Sequence, residues 1–473
     1  MATATLTRQF AHWAANLRYE DLPDEVVDKI KALLLHALAG AVLGARVPEA
    51  VESVHLAVSE EGKPDGATIL WHGSKVTRVG AAYANAELIH NSLMFDSYRM
   101  LTHPGPVLIP VALANAELER KDGKAVIVAL AAAYEFMFRL CDEFIPSTAA
   151  RGFRPSPIYC TLGAGLLSGM LMGLDEDGLV SAIALAANFA SGLNEGPRSG
   201  GNETTSHEPQ AARNGVFAGL IAREGHIKGA ELTLEGAAGF YNAFTGSHEG
   251  RLSYSFKNGV TQADVGGITK GLGREWLLLT AMFRMYPMAG YNQPVVDLIA
   301  EMKQQYGIDA DRIQDVSVHM NWIETLYPSP AFPRAPEWNT ARIGNTHYFA
   351  AHAAVNGGYP VVGGVTFGPT GENLKEDQRV LDFMKKHVNL VQEKDRPMFS
   401  PGAVITMKDG VRYTGEYPYE RMAWNLDQLV VQLQRCVPRY PLGKPGLDRL
   451  VETVRNASQL ASMERIYQVT RPA

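Results

Sequence analysis

The feature that most constrains this chain is a series of helical runs whose faces are crowded with alanine and glycine. Ala81-Ala82, Ala131-Ala132-Ala133 and Gly163-Ala164-Gly165 lie inside the runs Arg78–Leu93, Ala125–Cys141 and Tyr159–Met172. Small side chains let helices approach closely, and helices that are apolar nearly all round belong inside a large bundle. Further helical runs are Pro106–Glu119, Glu176–Ala190 and Ala211–Arg223. Near the start, Pro23-Asp24-Glu25 supplies the proline and acids that a helix N-terminus favours. Val26, Val27, Ile30, Leu33, Leu34, Ala37 and Leu38 then recur at helical spacing. The first 270 residues therefore read as helices, with no long helix–strand alternation, which disfavours a doubly wound sheet.

The texture changes near Gly266-Gly267 and Gly271-Leu272-Gly273. After a helix at Pro294–Tyr306, Ile313–Met320 alternates apolar and polar residues as a half-buried strand does. Val404–Met407 and Val411–Tyr413 flank Lys408-Asp409-Gly410, a hairpin signal. Helices return at Asn425–Cys436 and Gly446–Gln468. A chain of 473 residues suits more than one structural unit. The expected fold is mainly α: an all-helical domain over 1–270 plus 415–473, with a smaller α/β domain inserted over 271–414.

Composition narrows the function. Forty-four Lys and Arg against fifty Asp and Glu give a charge of −6 with no basic block, so a nucleic-acid partner is not expected. No stretch of about eighteen apolar residues is free of charge, so no membrane span is expected. Cys141, Cys160 and Cys436 are far apart and odd in number, which fits a reducing compartment better than a disulfide framework. With no address recognisable in Met1–Ala15, the expected location is the cytoplasm. Phosphate-loop, zincin, nucleophile-elbow and dinucleotide motifs are missing from the sequence. The thirteen histidines lack metal-ligand spacing, so neither a metal nor a cofactor is expected.

Polar residues cluster beside Gly and Pro in several places, where sites tend to lie. Asp96 and His103, in Phe95-Asp96-Ser97-Tyr98-Arg99 and Thr102-His103-Pro104-Gly105, read either as an acid–base pair or as a loop with Asp96 as a cap. Arg154, in Arg151-Gly152-Phe153-Arg154-Pro155, suits a carboxylate or simply solvent. The glycine-rich segment from Asn194 through Thr204 to His207 enters a helix, which places His207 beside an anion or in an N-terminal cap. Arg284 follows an apolar run at the expected domain junction, and Tyr327 is a weaker candidate than an ordinary packed tyrosine.

Taken in order, these blocks resemble the MmgE/PrpD family. The resemblance rests on Leu22-Pro23, Thr102-His103-Pro104 with Val107-Leu108-Ile109-Pro110, and Arg151-Gly152-Phe153-x-Pro155. It continues through His207-x-x-Gln210-Ala211-Ala212-Arg213-Asn214-Gly215, Leu234-Glu235-Gly236-x-x-Gly239-Phe240, Tyr286-Pro287 and the Asp409-Gly410 hairpin. It implies a helical domain with a smaller α/β lid, a homodimer that needs no cofactor, and a small carboxylate as substrate. His103 then matches the family's catalytic histidine, Asp96 its acidic cluster and His207 the histidine of a second loop. Ser97, Thr204, Arg154, Arg284 and Tyr327 become candidate substrate contacts.

The chain also departs from that pattern. Where relatives carry Asp-x-Asp-Asp-Thr it reads Leu93-Met94-Phe95-Asp96-Ser97, and Gly-Phe-His-Pro becomes Gly152-Phe153-Arg154-Pro155. Thr204 and Arg284 stand where lysines are expected. Arginine keeps its proton at any working pH, so proton transfer falls to His103, with His207 as its partner. The expected function is a cofactor-independent lyase, with dehydration (a hydro-lyase) ranked before decarboxylation. The alternatives are an epimerase or isomerase of a small dicarboxylate, and a non-catalytic carboxylate-binding member of the family.

Overall fold

Why the helices can pack so tightly is visible at two glycines. A Cβ on Gly215, in helix His207–Glu224, would stand 2.2 Å from the Ala164 Cβ of helix Pro155–Leu171. One on Gly165 would stand 2.5 Å from the Ala186 Cβ of helix Glu176–Phe189. No larger side chain fits either crossing, so the small-residue stripes set the helix separation. These coordinates are a computed structural model that describes residues 4–326, 341, 343–360 and 377–472. It is mainly α-helical.

The chain divides into two units, one of Met1–Ser255, Val260–Phe283 and Trp424–Ala473, the other of Phe256–Gly259 and Arg284–Ala423. In the first, helices Asp24–Gly44, Arg78–Asn91, Gly105–Leu118, Gly123–Cys141, Pro155–Leu171 and His207–Glu224 pack on one another. Thr77, Asp122 and Asp175 cap three helices by accepting from Gly80, Ala125 and Gly178 N–H at 3.0, 2.8 and 2.9 Å. Phe10, Tyr134, Phe136, Phe138 and Tyr159 are fully buried, each removing enough apolar area to stabilise the fold by about 2 kcal/mol or more. The buried Arg139 binds Glu135 and also donates to the carbonyls of Ile268, Lys270 and Glu275, which ties segment 268–275 to the core.

This unit is not purely helical. Gly62–Thr68 pairs with Lys75–Val76, and Asp96–Ser97 pairs antiparallel with Met282–Phe283. Two-residue strands joined over such a sequence distance leave no local periodicity to read. The run Gly446–Gln468 is also broken: helix Gly443–Arg455 stops, and a second helix spans Glu464–Val469. The start of helix Gly123–Cys141 docks at the break, where Gly123 N–H donates to Leu460 O at 2.9 Å. A Cβ on Gly123 would come within 1.7 Å of the Ala457 carbonyl, so tertiary packing outweighs helix propensity there.

In the second unit a four-stranded sheet runs in the order Val388–Glu393, Ile313–Asn321, Gly402–Met407, Arg412–Glu416. The first pair is parallel and the others antiparallel. Gly410, at φ +86°, turns the last hairpin as Asp-Gly predicts. Helices Asn292–Tyr306, Thr346–Asn356 and Gln378–His387 pack against this sheet. Among the described residues no single helix is long and apolar enough to cross a membrane.

Candidate active site

The site is assembled in the first unit around the segment that delivers His103. Three residues before it, Leu93, Arg99 and Leu101, hold φ of +55°, +48° and +75°. Such conformations cost side-chain-bearing residues on the order of 1 kcal/mol each and persist only where the surroundings enforce them. Here they do. Asp96–Ser97 is paired in its short sheet, and Tyr98 bridges to Thr102. The Tyr98 ring stacks on Phe138 at 3.9 Å, while Tyr98 and Arg99 both donate to Asp142.

His103 is therefore fixed in place. Its backbone N–H donates to Ser156 Oγ at 3.0 Å, and its ring meets the Phe95 edge at 4.6 Å. Its Nδ1 lies 3.1 Å from Ser97 Oγ and 3.2 Å from the Asp96 carbonyl oxygen. A carbonyl oxygen only accepts, so the Asp96 contact favours the tautomer with its hydrogen on Nδ1.

Asp96 has a structural environment of its own. Its buried carboxylate accepts from Gly105 N–H at 2.7 Å, at the start of helix Gly105–Leu118, and from Tyr134 OH at 2.8 Å. Burial pushes it up to about 6, against the pull of those two donors and of Lys29. Lys29 is also buried, donating to the Ala281 and Trp424 carbonyls at 2.5 and 3.0 Å and lying over the Phe283 ring. Burial lowers it to about 7, resisted by Asp96 and Asp28.

A second cluster forms at the start of helix His207–Glu224. Glu208 is wholly buried and ion-paired to Arg154, and its other oxygen lies 3.2 Å from His90 Nδ1. Burial opposes its ionisation, but Arg154, His90 and His103 together hold the carboxyl well below its usual range. The His90 ring stacks on Phe95, so one aromatic side chain touches both His90 and His103. His207 opens the helix with its Nδ1 buried and without a hydrogen-bond partner. Burial, then the Arg154 charge, lowers it to about 4. It is neutral at physiological pH.

His103, Ser97, Asp96, Arg154 and His207 are thus brought together, with Thr204 half-buried in the turn Glu203–Ser206 just before. Arg154 is committed to Glu208. Arg284 is buried in the second unit, where it donates to the Met288 carbonyl at 2.9 Å. Tyr327 lies outside the described residues. Among the described residues no group of three His, Cys, Asp or Glu side chains is arranged to hold a metal.

Sequence reasoning passed over His90, Glu208, Ser156, Tyr134 and Lys29. Lys29 had a signal: it falls three residues after Val26 and four before Leu33, on the apolar face of its helix. The others are polar residues within helices and announce themselves only in three dimensions.

A family model described as the MmgE/PrpD N-terminal domain matches residues 8–253, more than half of the chain. The chain belongs to the MmgE/PrpD family. Among its curated relatives in that family, the cis-aconitate decarboxylase of Aspergillus terreus is 27% identical over 312 residues, covering 64% of this chain and 61% of that protein. A cis-aconitate decarboxylase-like protein of Aspergillus oryzae is 24% identical over 64% of the chain and 62% of its own length. Human cis-aconitate decarboxylase is 25% identical over 51% of the chain and 50% of its own length. The chain thus spans less than two thirds of the length of the MmgE/PrpD relatives it matches.

Proposed function

We propose that this protein is a cofactor-independent lyase that decarboxylates a small unsaturated carboxylic acid, with His103 as the proton carrier. One observation carries the reading. His103 is held in one orientation through Nδ1 by Ser97 and the Asp96 carbonyl, next to the Arg154–Glu208 ion pair. That the relatives are named cis-aconitate decarboxylases supports reading the reaction as decarboxylation.

In the proposed reaction the C–C bond to a carboxylate breaks, carbon dioxide leaves, and the bonding electrons remain on the adjacent carbon. Nε2–H of protonated His103 delivers a proton to that carbon, and the imidazole is reprotonated from solvent. A proton placed at the developing carbanion is worth roughly 10²- to 10⁴-fold in rate. Asp96 acts through the backbone it anchors, since its carboxylate is occupied by Gly105 and Tyr134.

The test is incubation in heavy water with a panel of unsaturated acids and hydroxy-acids, followed by NMR. Decarboxylation would release carbon dioxide and place one deuterium on the carbon that lost it. A conjugated alkene formed from a hydroxy-acid without gas release would make the protein a dehydratase. Deuterium exchange with no net loss of mass would make it an epimerase.

A further inference from the structure

Lys29 takes no part in the proton transfer described above, yet it is built into the part of the first unit that orients His103. It lies buried in helix Asp24–Gly44, and its Nζ donates to the carbonyls of Ala281 and Trp424 at 2.5 and 3.0 Å. Ala281 immediately precedes the strand Met282–Phe283, and the same Nζ lies 4.6 Å from the centre of the Phe283 ring. That strand pairs Phe283 with Asp96 and Met282 with Ser97. The Asp96 carbonyl and Ser97 hydroxyl oxygens lie 3.2 and 3.1 Å from His103 Nδ1. One strand pair thus separates Lys29 from the groups that hold the imidazole, and every residue on the path belongs to the first unit.

A ladder of two residue pairs is too short to hold its own place. Burying an amino group costs hydration that an apolar side chain would not lose, so packing alone does not account for a lysine there. What the lysine adds is direction: two carbonyls take two N–H donors, which the amino group keeps whether charged or neutral. Asp28, next to it in the helix, accepts from Leu426 N–H at 2.9 Å and secures the segment that carries the Trp424 carbonyl. We propose that Lys29 is a positioning residue: it fixes the strand Met282–Phe283 and, through it, the Asp96 carbonyl and Ser97 hydroxyl that orient His103 for proton transfer. This role deepens the lyase reading, on which the proton transfer rests, whereas the orientation of His103 is open to test without substrate.

The experiment compares the full-length wild type with Lys29→Met, which keeps a stem of similar length and has no N–H to donate; folding is checked by circular dichroism. One readout is nitrogen NMR of histidine-labelled protein at about pH 8.5, where an ordinary imidazole is neutral. The His103 signal is assigned from its loss in His103→Gln. Wild type should show His103 mainly as the Nδ1–H tautomer, and Lys29→Met a mixture. The other readout is steady-state turnover of the panel of acids, cis-aconitate included. Lys29→Met should lower kcat about 10- to 100-fold, the scale of a misplaced catalytic group, with KM changed by less than about threefold. A lysine that only holds the fold together would lower Tm and leave both readouts of the folded variant unmoved. That result, movement of one readout without the other, or a tautomer mixture already in wild type would overturn the proposal. Should Lys29→Met fail to fold, Lys29→Gln, one atom shorter but still a donor, decides by the same two readouts, with kcat expected to fall at least about threefold. If wild type converts none of the acids, the lyase reading falls and the tautomer alone decides for Lys29. If wild type decarboxylates an acid while His103 keeps one tautomer in the folded variant, the lyase reading stands and the role of Lys29 falls.

Discussion

Phe95 shows how one residue sets the character of its neighbours. A carboxylate there would raise the proton affinity of both histidines it touches; the phenyl ring packs between His90 and His103 and adds no charge. In the proposed reaction the proton is carried by His103. His103→Gln should lower kcat by about 10³-fold, the scale of a lost general acid. Its half-buried ring leaves little core behind, so Tm should fall by no more than about 4 °C, as for a loss near 1 kcal/mol. Steady-state turnover and thermal unfolding check both halves.

His207 makes a prediction of opposite kind, because its folded-state value of about 4 lies below the ordinary 6.5. The native state therefore binds fewer protons than the unfolded chain between those values. The resulting stability is complete above pH 6.5 and lost as pH falls through 4. The Tm of wild type should decline over this window more steeply than that of His207→Gln. Parallel curves would mean that His207 is as easily protonated folded as unfolded.

At the scale of elements, the crossing of helices Pro155–Leu171 and His207–Glu224 brings His207, Glu208 and Arg154 to one place, and it depends on Gly215. Gly215→Val puts three carbons where the Ala164 Cβ already stands. It should destabilise the protein by about 3 kcal/mol or more, the upper range for overpacking, measurable by urea unfolding. That helices such as Tyr159–Met172 approach their neighbours closely was legible in advance, because closeness follows from residue size and size is written in the sequence. Long apolar helices were legible for the same reason, and the positions of His103 and His207 near helix starts were legible from the Gly and Pro beside them, though their roles were not.

Less legible were features whose cause lies elsewhere in the chain. Asp96–Ser97 becomes a strand only because Met282–Phe283 meets it. The break after Arg455 is where Gly123 N–H, far away in the sequence, docks on the Leu460 carbonyl. Glu208 follows His207 directly, yet its weight comes from Arg154, which is distant in sequence. The strand Val388–Glu393 has only a short run of its own and owes its place to the parallel neighbour Ile313–Asn321.

At the scale of the whole molecule, each of the two units has its own core, which bears on how the protein denatures. Phe10, Tyr134, Phe136 and Phe138 are buried in the first; Val316, Val318, Met320 and Ile405 are buried in the second, on or beside its sheet. Domains with separate cores are where two-state unfolding commonly fails. Differential scanning calorimetry should therefore resolve two transitions. Val318→Ala empties part of the second core at a cost of about 2 kcal/mol and should lower one of them. Gly215→Val acts on the first unit and should lower the other. A single transition, shifted alike by both substitutions, would mean that the units unfold together. His103, Glu208 and Arg154 all belong to the first unit, so binding of a carboxylate there should raise the transition that Gly215→Val lowers.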